Sequence, residues 1–209
     1  MAEKFERPTT LKGKIENYWY HYKWHTLIGL FFVVTILVCT VQCSSRENPD
    51  IKAILYVDEN VADLTADALE EEIEKYMTDL NGDGEVICQV INLSNINGTD
   101  NFAVNKSQRL FAEMAEGSNF LYILDKNGYD SLQTNLNPFA KEDYQNNDDV
   151  NGWNWNGSKI QSNLEIHKLP DDMYFCVRDI FDTNDSKKNK QTKINVETVM
   201  NKIAVDNKE

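Results

Sequence analysis

The chain has 209 residues and a formal net charge of −13 at pH 7, which reflects 34 acidic side chains against 21 lysines and arginines. A surface of this charge repels the phosphate backbone, so no nucleic acid partner is expected. The length fits one ordinary domain with an additional segment. The hydrophobic content of 41% is sufficient for a core.

An uncharged segment near the N-terminus has the length and composition of a membrane-spanning helix. No Asp, Glu, Lys or Arg occurs between Lys23 and Arg46, and about 20 such residues cross the hydrocarbon core of a bilayer. The run is longer than the apolar region of a typical signal peptide and ends without an A-x-A pattern, so we favour an uncleaved transmembrane helix over residues 24–45. Aromatic residues suited to the lipid headgroup layer precede it: Tyr18, Trp19, Tyr20, Tyr22 and Trp24.

Basic residues are concentrated before the apolar segment. The positive-inside rule keeps the more basic flank in the cytoplasm. We therefore expect a basic, aromatic cytoplasmic segment over residues 1–23 and an acidic extracytoplasmic domain over residues 46–209. The expected partners are the lipid bilayer and a membrane protein. The residues that set this orientation are Lys4, Arg7, Lys12, Lys14 and Lys23 on one side, against Arg46 and Lys52 on the other.

Patterns of strands and helices alternate after residue 46. Three apolar runs predict strands at Ile51–Val57, Val86–Leu93 and Phe120–Leu124. Amphipathic periodicity predicts helices over residues 69–80 and 105–116. This alternating order is typical of a parallel sheet with right-handed crossovers. We therefore predict an α/β fold, a mostly parallel sheet with flanking helices, preceded by one N-terminal transmembrane helix.

The last third of the chain has a weaker pattern. Met173–Val177 predicts a further strand, and Ile194–Ile203 predicts a closing helix. Residues 135–160 are rich in Asn, Asp and Gly and predict an irregular loop, while residues 182–193 predict a charged surface loop.

The segment Asp79-Leu-Asn-Gly-Asp-Gly84 resembles the first half of a calcium-binding loop. Side-chain oxygens at alternating positions, from Asp79, Asn81 and Asp83, are ligands of the kind that Ca²⁺ prefers. The bidentate glutamate of such loops is missing, because hydrophobic residues occupy the ninth and twelfth positions. The alternative, which we favour, is a tight turn in which the two glycines adopt positive φ. No cofactor other than calcium enters these expectations.

Trp153 and Trp155 alternate with asparagines in the irregular region. An exposed indole beside amide groups is suited to stacking on a sugar ring, so both residues are candidates for ligand binding. Trp also buries a large apolar area, and a loop held by its own aromatic side chains is the alternative that we favour.

Residues that would indicate catalysis are scarce. His167 is the only histidine after residue 46, and the chain contains no G-x-S-x-G, H-E-x-x-H or P-loop motif. Catalysis of this kind requires a base, a nucleophile and an orienting group together. We therefore do not expect an enzyme.

Cys88 and Cys176 each lie in an apolar run of the predicted domain. Outside the cytoplasm the two thiols could form a disulfide. Isolated cysteines in strands are more often small core residues, so two free thiols are the alternative that we favour.

Three segments together resemble a group of single-pass membrane-anchored proteins from Gram-positive anaerobic bacteria. They are the aromatic stretch Tyr18–His25, the turn Asn81–Gly84 and the segment Leu169–Arg178. That group has no established activity, so the resemblance implies topology and compartment alone. Residues 51–125 also resemble, in the order of their elements, the first lobe of extracellular solute-binding proteins. The second lobe, and with it the interlobe ligand cleft, has no counterpart in the chain.

These patterns lead to one favoured function and two alternatives. The favoured function is a membrane-anchored extracytoplasmic binding or interaction module, a reduced solute-binding-like lobe that acts with a transporter, a sensor or an envelope complex. The first alternative is a structural subunit of a membrane complex, recruited through its N-terminal segment and transmembrane helix. The second is a cell-envelope enzyme, which would need paired carboxylates in a cleft.

The predicted orientation has a direct test. Protease added to intact protoplasts should digest residues from about 46 onward and leave the N-terminal segment protected, because the basic flank stays in the cytoplasm. Immunoblotting with tags at the two ends distinguishes the fragments. Loss of the N-terminal tag alone would show the opposite orientation.

Overall fold

The computed structural model describes residues 10–44, 48–98, 101–136, 138–139, 141–142, 149–180 and 186–206. The chain divides into two compact units, Met1–Glu47 and Asn48–Glu209. Each unit is described by itself.

The first unit contains one long helix, α1, from Leu11 to Ser44. Its 34 residues extend about 51 Å at 1.5 Å per residue. The part from Leu11 to Thr40 is long and apolar enough to cross a membrane, and none of its apolar window is buried. These properties fit a membrane span and also a signal sequence. The helix starts before predicted residue 24, and the hydroxyl of Thr10 accepts the N–H of Gly13 in its first turn.

The second unit is an α/β domain with a five-stranded sheet. Its strands are β1 (Ile51–Tyr56), β2 (Cys88–Asn92), β3 (Leu121–Asp125), β4 (Trp153–Asn154) and β5 (Met173–Val177). Its helices are α2 (Asp63–Glu74), α3 (Asn101–Glu116), α4 (Lys126–Leu136), α5 (Lys159–Leu164) and α6 (Lys187–Asp206), and a 3-10 turn spans Glu165–His167.

The sheet is mixed, with the strand order β2-β1-β3-β5-β4. β1 pairs in parallel with β2 and with β3, whereas β5 pairs antiparallel with β3 and with β4. The prediction of an α/β fold is confirmed, but a mostly parallel sheet is not. Parallel neighbours need a crossover that returns the chain to the starting edge. β4 pairs with β5 as an antiparallel neighbour, so the chain enters β5 from the edge at which β4 ends and runs opposite to β3.

Side chains alternate between two buried faces of the sheet, because successive residues of a strand point to opposite sides. The first face packs against α2, α5 and α6, and the second face packs against α3 and α4. Main contributors to the first face are Ala53, Leu55, Val90, Ile123, Phe175, Leu69, Ile160 and Met200. Main contributors to the second face are Ile54, Ile91, Tyr122, Leu124, Leu110, Met114 and Leu132. Helices therefore cover the sheet on both sides.

The two domain cysteines are free and buried. Cys88 belongs to the first face and Cys176 to the second. They lie on β2 and β5, which β1 and β3 separate, so their strands are about 14 Å apart at 4.8 Å per strand. A disulfide needs Cα atoms within about 7 Å. The alternative of a Cys88–Cys176 bridge is therefore wrong.

Several segments differ from the predicted pattern. The first predicted helix forms earlier, at Asp63–Glu74, and the closing helix begins at Lys187, inside the predicted charged loop. The sequence did not predict α4, which is mostly polar and buries Tyr129 and Leu132. The predicted loop over residues 135–160 lies partly outside the described residues, and its described part contains β4 and the start of α5.

Gly128, in the first turn of α4, provides a test of this packing. A methyl group there would overlap the backbone carbonyl oxygen of Tyr56, in the central strand β1. We expect Gly128→Ala to lower the free energy of unfolding by about 1–3 kcal/mol, because the buried strand cannot move aside freely. Chemical denaturation of the purified chain measures the change, with exposed Thr134→Ala as the control. Equal stability of the two variants would contradict the close approach.

Candidate functional site

The carboxyl ends of the parallel strands lie at one edge of the sheet, which we call the carboxyl edge. The helix that follows β1, α2, packs on the first face, and the helix that follows β3, α4, packs on the second. The chain therefore leaves the neighbouring strands β1 and β3 in opposite directions. In open α/β sheets, ligands bind in the crevice that forms at such a point. The carboxyl edge is therefore the first place to look for a site.

The carboxylate of Asp125 joins these two strands. One oxygen, Oδ2, accepts the backbone N–H of Asp58 at 2.6 Å, and the other, Oδ1, accepts the N–H of Gly128 at 2.7 Å. The second bond satisfies an N–H at the start of α4 that has no partner within the helix. Asp125 therefore ties the end of β1 to the end of β3 and caps α4.

The side chain of Asp58 connects two further loops. Its Oδ1 accepts the amide Nδ2 of Asn97, which follows β2, and its Oδ2 accepts the amide Nδ2 of Asn127 at 2.8 Å. Loops after β1, β2 and β3 thus meet at one carboxylate. Since both oxygens of Asp58 and of Asp125 already accept hydrogen bonds, this pair of carboxylates is arranged to hold loops together.

The loop after β2 is fixed by backbone hydrogen bonds. Asn95 has a φ of 72°, and its N–H donates to the carbonyls of Val57 and Glu59 at 2.9 and 3.1 Å. The ammonium of Lys106 in α3 donates to the carbonyl of Ser94 at 2.9 Å. Asparagine tolerates the left-handed region better than most residues, so the sequence suits this sharp turn.

Tyr56, the last residue of β1, lies under the same edge. Burial raises the pKa of its phenol, and the negative charges of Asp125 and Asp58 raise it further against the lowering effect of a hydrogen bond with Ser131. The phenol therefore stays neutral at physiological pH. The carboxylates of Asp58 and Asp125 and the amides of this edge thus bond within the chain, and Tyr56 is buried beside them.

A cleft of about 370 Å³ lies toward the β4 end of the carboxyl edge. Small-molecule sites in proteins usually measure about 300–1,000 Å³. Its position follows from the antiparallel register: Met173 at the start of β5 is paired with Asp125 at the end of β3, so the segment before β5 reaches the same edge. The residues that line the cleft are Trp155, Gln161, Ser162, Leu164, Glu165, Lys168, Leu169 and Asp171.

Hydrogen bonds shape one wall of this cleft. The indole N–H of Trp155 donates to the carbonyl of Asp171 at 2.7 Å, and the amide Nε2 of Gln161 donates to the same oxygen at 3.2 Å. Lys168 adopts the left-handed conformation, with a φ of 54°. The lining therefore presents acidic, basic and amide groups in one concave surface.

The two tryptophans are core residues. Trp153 is 3% exposed and Trp155 is 1% exposed, and both pack near Phe175 on the first face of the sheet. Neither ring has the free face that stacking on a sugar requires. Their role as stacking residues is therefore not supported by their burial, although the edge of Trp155 contributes to the cleft.

The predicted calcium loop forms a turn closed by its own side chains. The carboxylate of Asp79 accepts the N–H groups of Gly82 and Gly84 at 2.6 and 2.9 Å. The side-chain oxygens of Asn81 and Asp83 accept backbone N–H groups two residues further on, at 2.8 and 3.0 Å. Both glycines have positive φ, 78° and 92°, as the turn interpretation predicts.

Asp50 anchors this turn to the start of β1. Its carboxylate accepts the N–H groups of Leu80, Asn81 and Ile87 at 2.8, 2.9 and 3.0 Å. Among the residues that the structure describes, no group of three or more His, Cys, Asp or Glu is arranged to hold a metal ion. Calcium binding by Asp79, Asn81 and Asp83 stays a prediction, and the hydrogen bonds explain the turn without a metal.

Sequence patterns missed most of the residues at the carboxyl edge. Asp58 and Asn127 belong to no motif, and Asn97 belongs only to an Asn-x-Thr triplet, which indicates glycosylation rather than contact between loops. The one available signal is that polar residues directly follow the predicted strands. The hydrogen bonds of Asp58 with Asp125 and with Asn127 join residues that are 67 and 69 positions apart in the sequence. No local pattern covers such a separation.

Comparison with protein-family models, with curated proteins and with solved structures gives no match. Interpretation of the carboxyl edge and the cleft therefore rests on their geometry.

The turn and calcium interpretations predict different melting behaviour. We expect the melting temperature of the purified chain to be the same with and without millimolar calcium, because the side-chain oxygens already accept backbone N–H groups. Asp79→Ala should lower the melting temperature equally in both conditions, since it removes two hydrogen bonds. A calcium-dependent rise in the wild type that is lost in Asp83→Ala would instead establish a metal site.

Proposed function

We propose that the chain is a single-pass membrane-anchored binding module. Its N-terminus lies in the cytoplasm, and its α/β domain lies outside and takes a polar ligand or a polar segment of a partner protein in the cleft. The module acts with a transporter, a sensor or an envelope complex. The cleft carries this proposal, because it combines ligand-sized volume with a lining that includes carboxylate and ammonium groups.

The lining of the cleft favours a ligand with both hydrogen-bond donors and acceptors. Glu165 and Asp171 accept hydrogen bonds and attract positive charge, and Lys168 donates, whereas Gln161 and Ser162 already bond to the backbone of the chain. Such a set matches a small zwitterionic molecule or a short polar peptide.

A structural subunit is the second candidate, and the exposure of α1 favours it. The aromatic residues of this helix are exposed, and Tyr18 and Tyr22 stack with ring centroids 5.4 Å apart. A membrane helix with such a surface offers partners a face for packing. An envelope enzyme has less support, because the carboxylates of Asp58 and Asp125 are engaged by N–H donors.

Co-purification from native membranes tests the proposal. We expect Glu165→Ala/Lys168→Asn to lose most of the bound protein or small molecule, measured by quantitative mass spectrometry. Asparagine at position 168 tolerates the left-handed backbone. The control Glu71→Ala/Lys188→Asn removes the same charges from exposed helix positions and should retain what is bound.

A further variant, in which an unrelated transmembrane helix replaces residues 11–45, separates the two candidate functions. If this variant loses its partners while Glu165→Ala/Lys168→Asn keeps them, the structural subunit is established and the binding module is contradicted. If both variants keep their partners, both candidate functions are contradicted.

A further inference from the structure

Strand β2 forms one edge of the sheet, because β1 is its one pairing partner among the residues that the structure describes. The N–H of Leu93 donates to the carbonyl of Leu55 in β1 at 2.8 Å. Backbone groups alternate in direction along a strand, so the N–H groups of Cys88 and Val90 point away from β1. An edge strand with free N–H groups is a template for pairing with another strand.

Two glutamates of α2 occupy these outward N–H groups. Glu74 Oε1 accepts the N–H of Cys88 at 2.8 Å, and Glu70 Oε1 accepts the N–H of Val90 at 2.6 Å. Both carboxylates belong to the helix that packs beside the strand, so the sheet edge is covered by the chain itself.

The spacing of the two pairs explains why the arrangement fits. Four residues along a helix rise about 6 Å, and two residues along a strand advance about 6.6 Å. Side chains four residues apart on α2 are therefore spaced like the N–H groups of alternate residues on β2. Helix α2 has a glutamate at each of two such positions, Glu70 and Glu74.

The strand beneath the glutamates has the composition of a strand that associates. Cys88–Asn92 carries no charge, no proline and no glycine, and it contains Val90 and Ile91. Charged side chains on an edge are a known means of preventing such pairing. A groove of about 250 Å³ runs along the same strand, lined in part by Asp67, Gln89 and Arg109, so a second chain has room to approach.

We propose that Glu70 and Glu74 close the β2 edge against strand addition, and that this edge pairs with the β2 edge of a second copy when the two side chains are removed. Two identical edges related by a two-fold axis run antiparallel and present the same groups to each other. The backbone carbonyls of each copy then accept the N–H groups of the other copy that Glu70 and Glu74 accept in the single chain. The inference is independent of any ligand in the cleft.

The variant Glu70→Ala/Glu74→Ala tests the proposal in the full chain, purified in detergent. Sedimentation should show dimers, with a dissociation constant lowered about tenfold or more, because the freed backbone donors can then bond to the backbone acceptors of a second copy. The control Glu59→Ala/Glu71→Ala removes two exposed carboxylates that do not line the groove beside β2. It should sediment like the wild type, and equal behaviour of the two variants would overturn the proposal.

Two more variants separate hydrogen bonding from charge and locate the contact. Glu70→Gln/Glu74→Gln keeps an acceptor oxygen at each position and should remain like the wild type. If the glutamine variant associated as strongly as the alanine variant, the proposal that hydrogen bonds close the β2 edge would be overturned. Gln89→Cys, exposed on β2, should be joined between copies by a bifunctional thiol reagent in the alanine background alone. Cys39→Ser and Cys43→Ser accompany it in every chain compared, because Cys39 is an exposed free thiol. Dimers that fail to join there would contradict pairing through β2.

A variant with one alanine covers the case in which the alanine pair does not fold. Glu70→Ala frees the N–H of Val90 alone, so it should show a smaller shift toward dimers and faster hydrogen exchange at that amide. If a folded Glu70→Ala chain showed neither more dimer nor faster exchange at the Val90 amide, the proposal would be overturned.

Discussion

The carboxylate of Asp125 is the contact on which the arrangement of the carboxyl edge depends. It holds the backbone of Asp58 at the end of β1 and the first turn of α4 at the end of β3. With Asp58 placed in this way, its own carboxylate can reach Asn97 and Asn127. Three segments that are distant in sequence, around residues 58, 97 and 125–128, therefore depend on one side chain. Loops fixed in this manner present their remaining polar groups in a constant geometry, which lowers the entropic cost of binding.

The antiparallel pairing of β4 with β5 determines the other half of the domain. β4 ends and β5 begins at the edge that holds Asp125. This brings Trp155, Gln161 and Asp171 to the side of the parallel strands. The cleft therefore exists because the sheet is mixed, and a fully parallel sheet would have placed the same residues at opposite edges.

Much of the fold could be predicted from local patterns, and the residues of the site could not. The runs Ile51–Tyr56 and Met173–Val177 are almost wholly buried on both faces, so their composition alone indicates strands. α4 was missed because only two of its side chains, Tyr129 and Leu132, are buried apolar contacts, which leaves little periodicity to detect. Strand direction was missed because the pairing of β5 with β3 and β4, rather than any residue of β5, defines it.

Helix α2 has two roles that its sequence pattern did not separate. Its apolar side, with Leu69 and Ile73, packs on the first face of the sheet, as the periodicity predicted. Its glutamates appeared to be solvated residues outside that face. Glu70 and Glu74 instead accept hydrogen bonds from β2. Periodicity reports which side chains avoid water, and it carries no information about a polar side chain that bonds to a strand.

The position of the two domain cysteines determines how the protein can be produced. Burial raises the pKa of both thiols, and the sheet keeps them on opposite sides. Neither an oxidant nor a disulfide isomerase is needed for this domain to reach its fold. The domain should therefore fold equally well in a reducing cytosol and on an oxidising cell surface, and its yield should not change with added reductant.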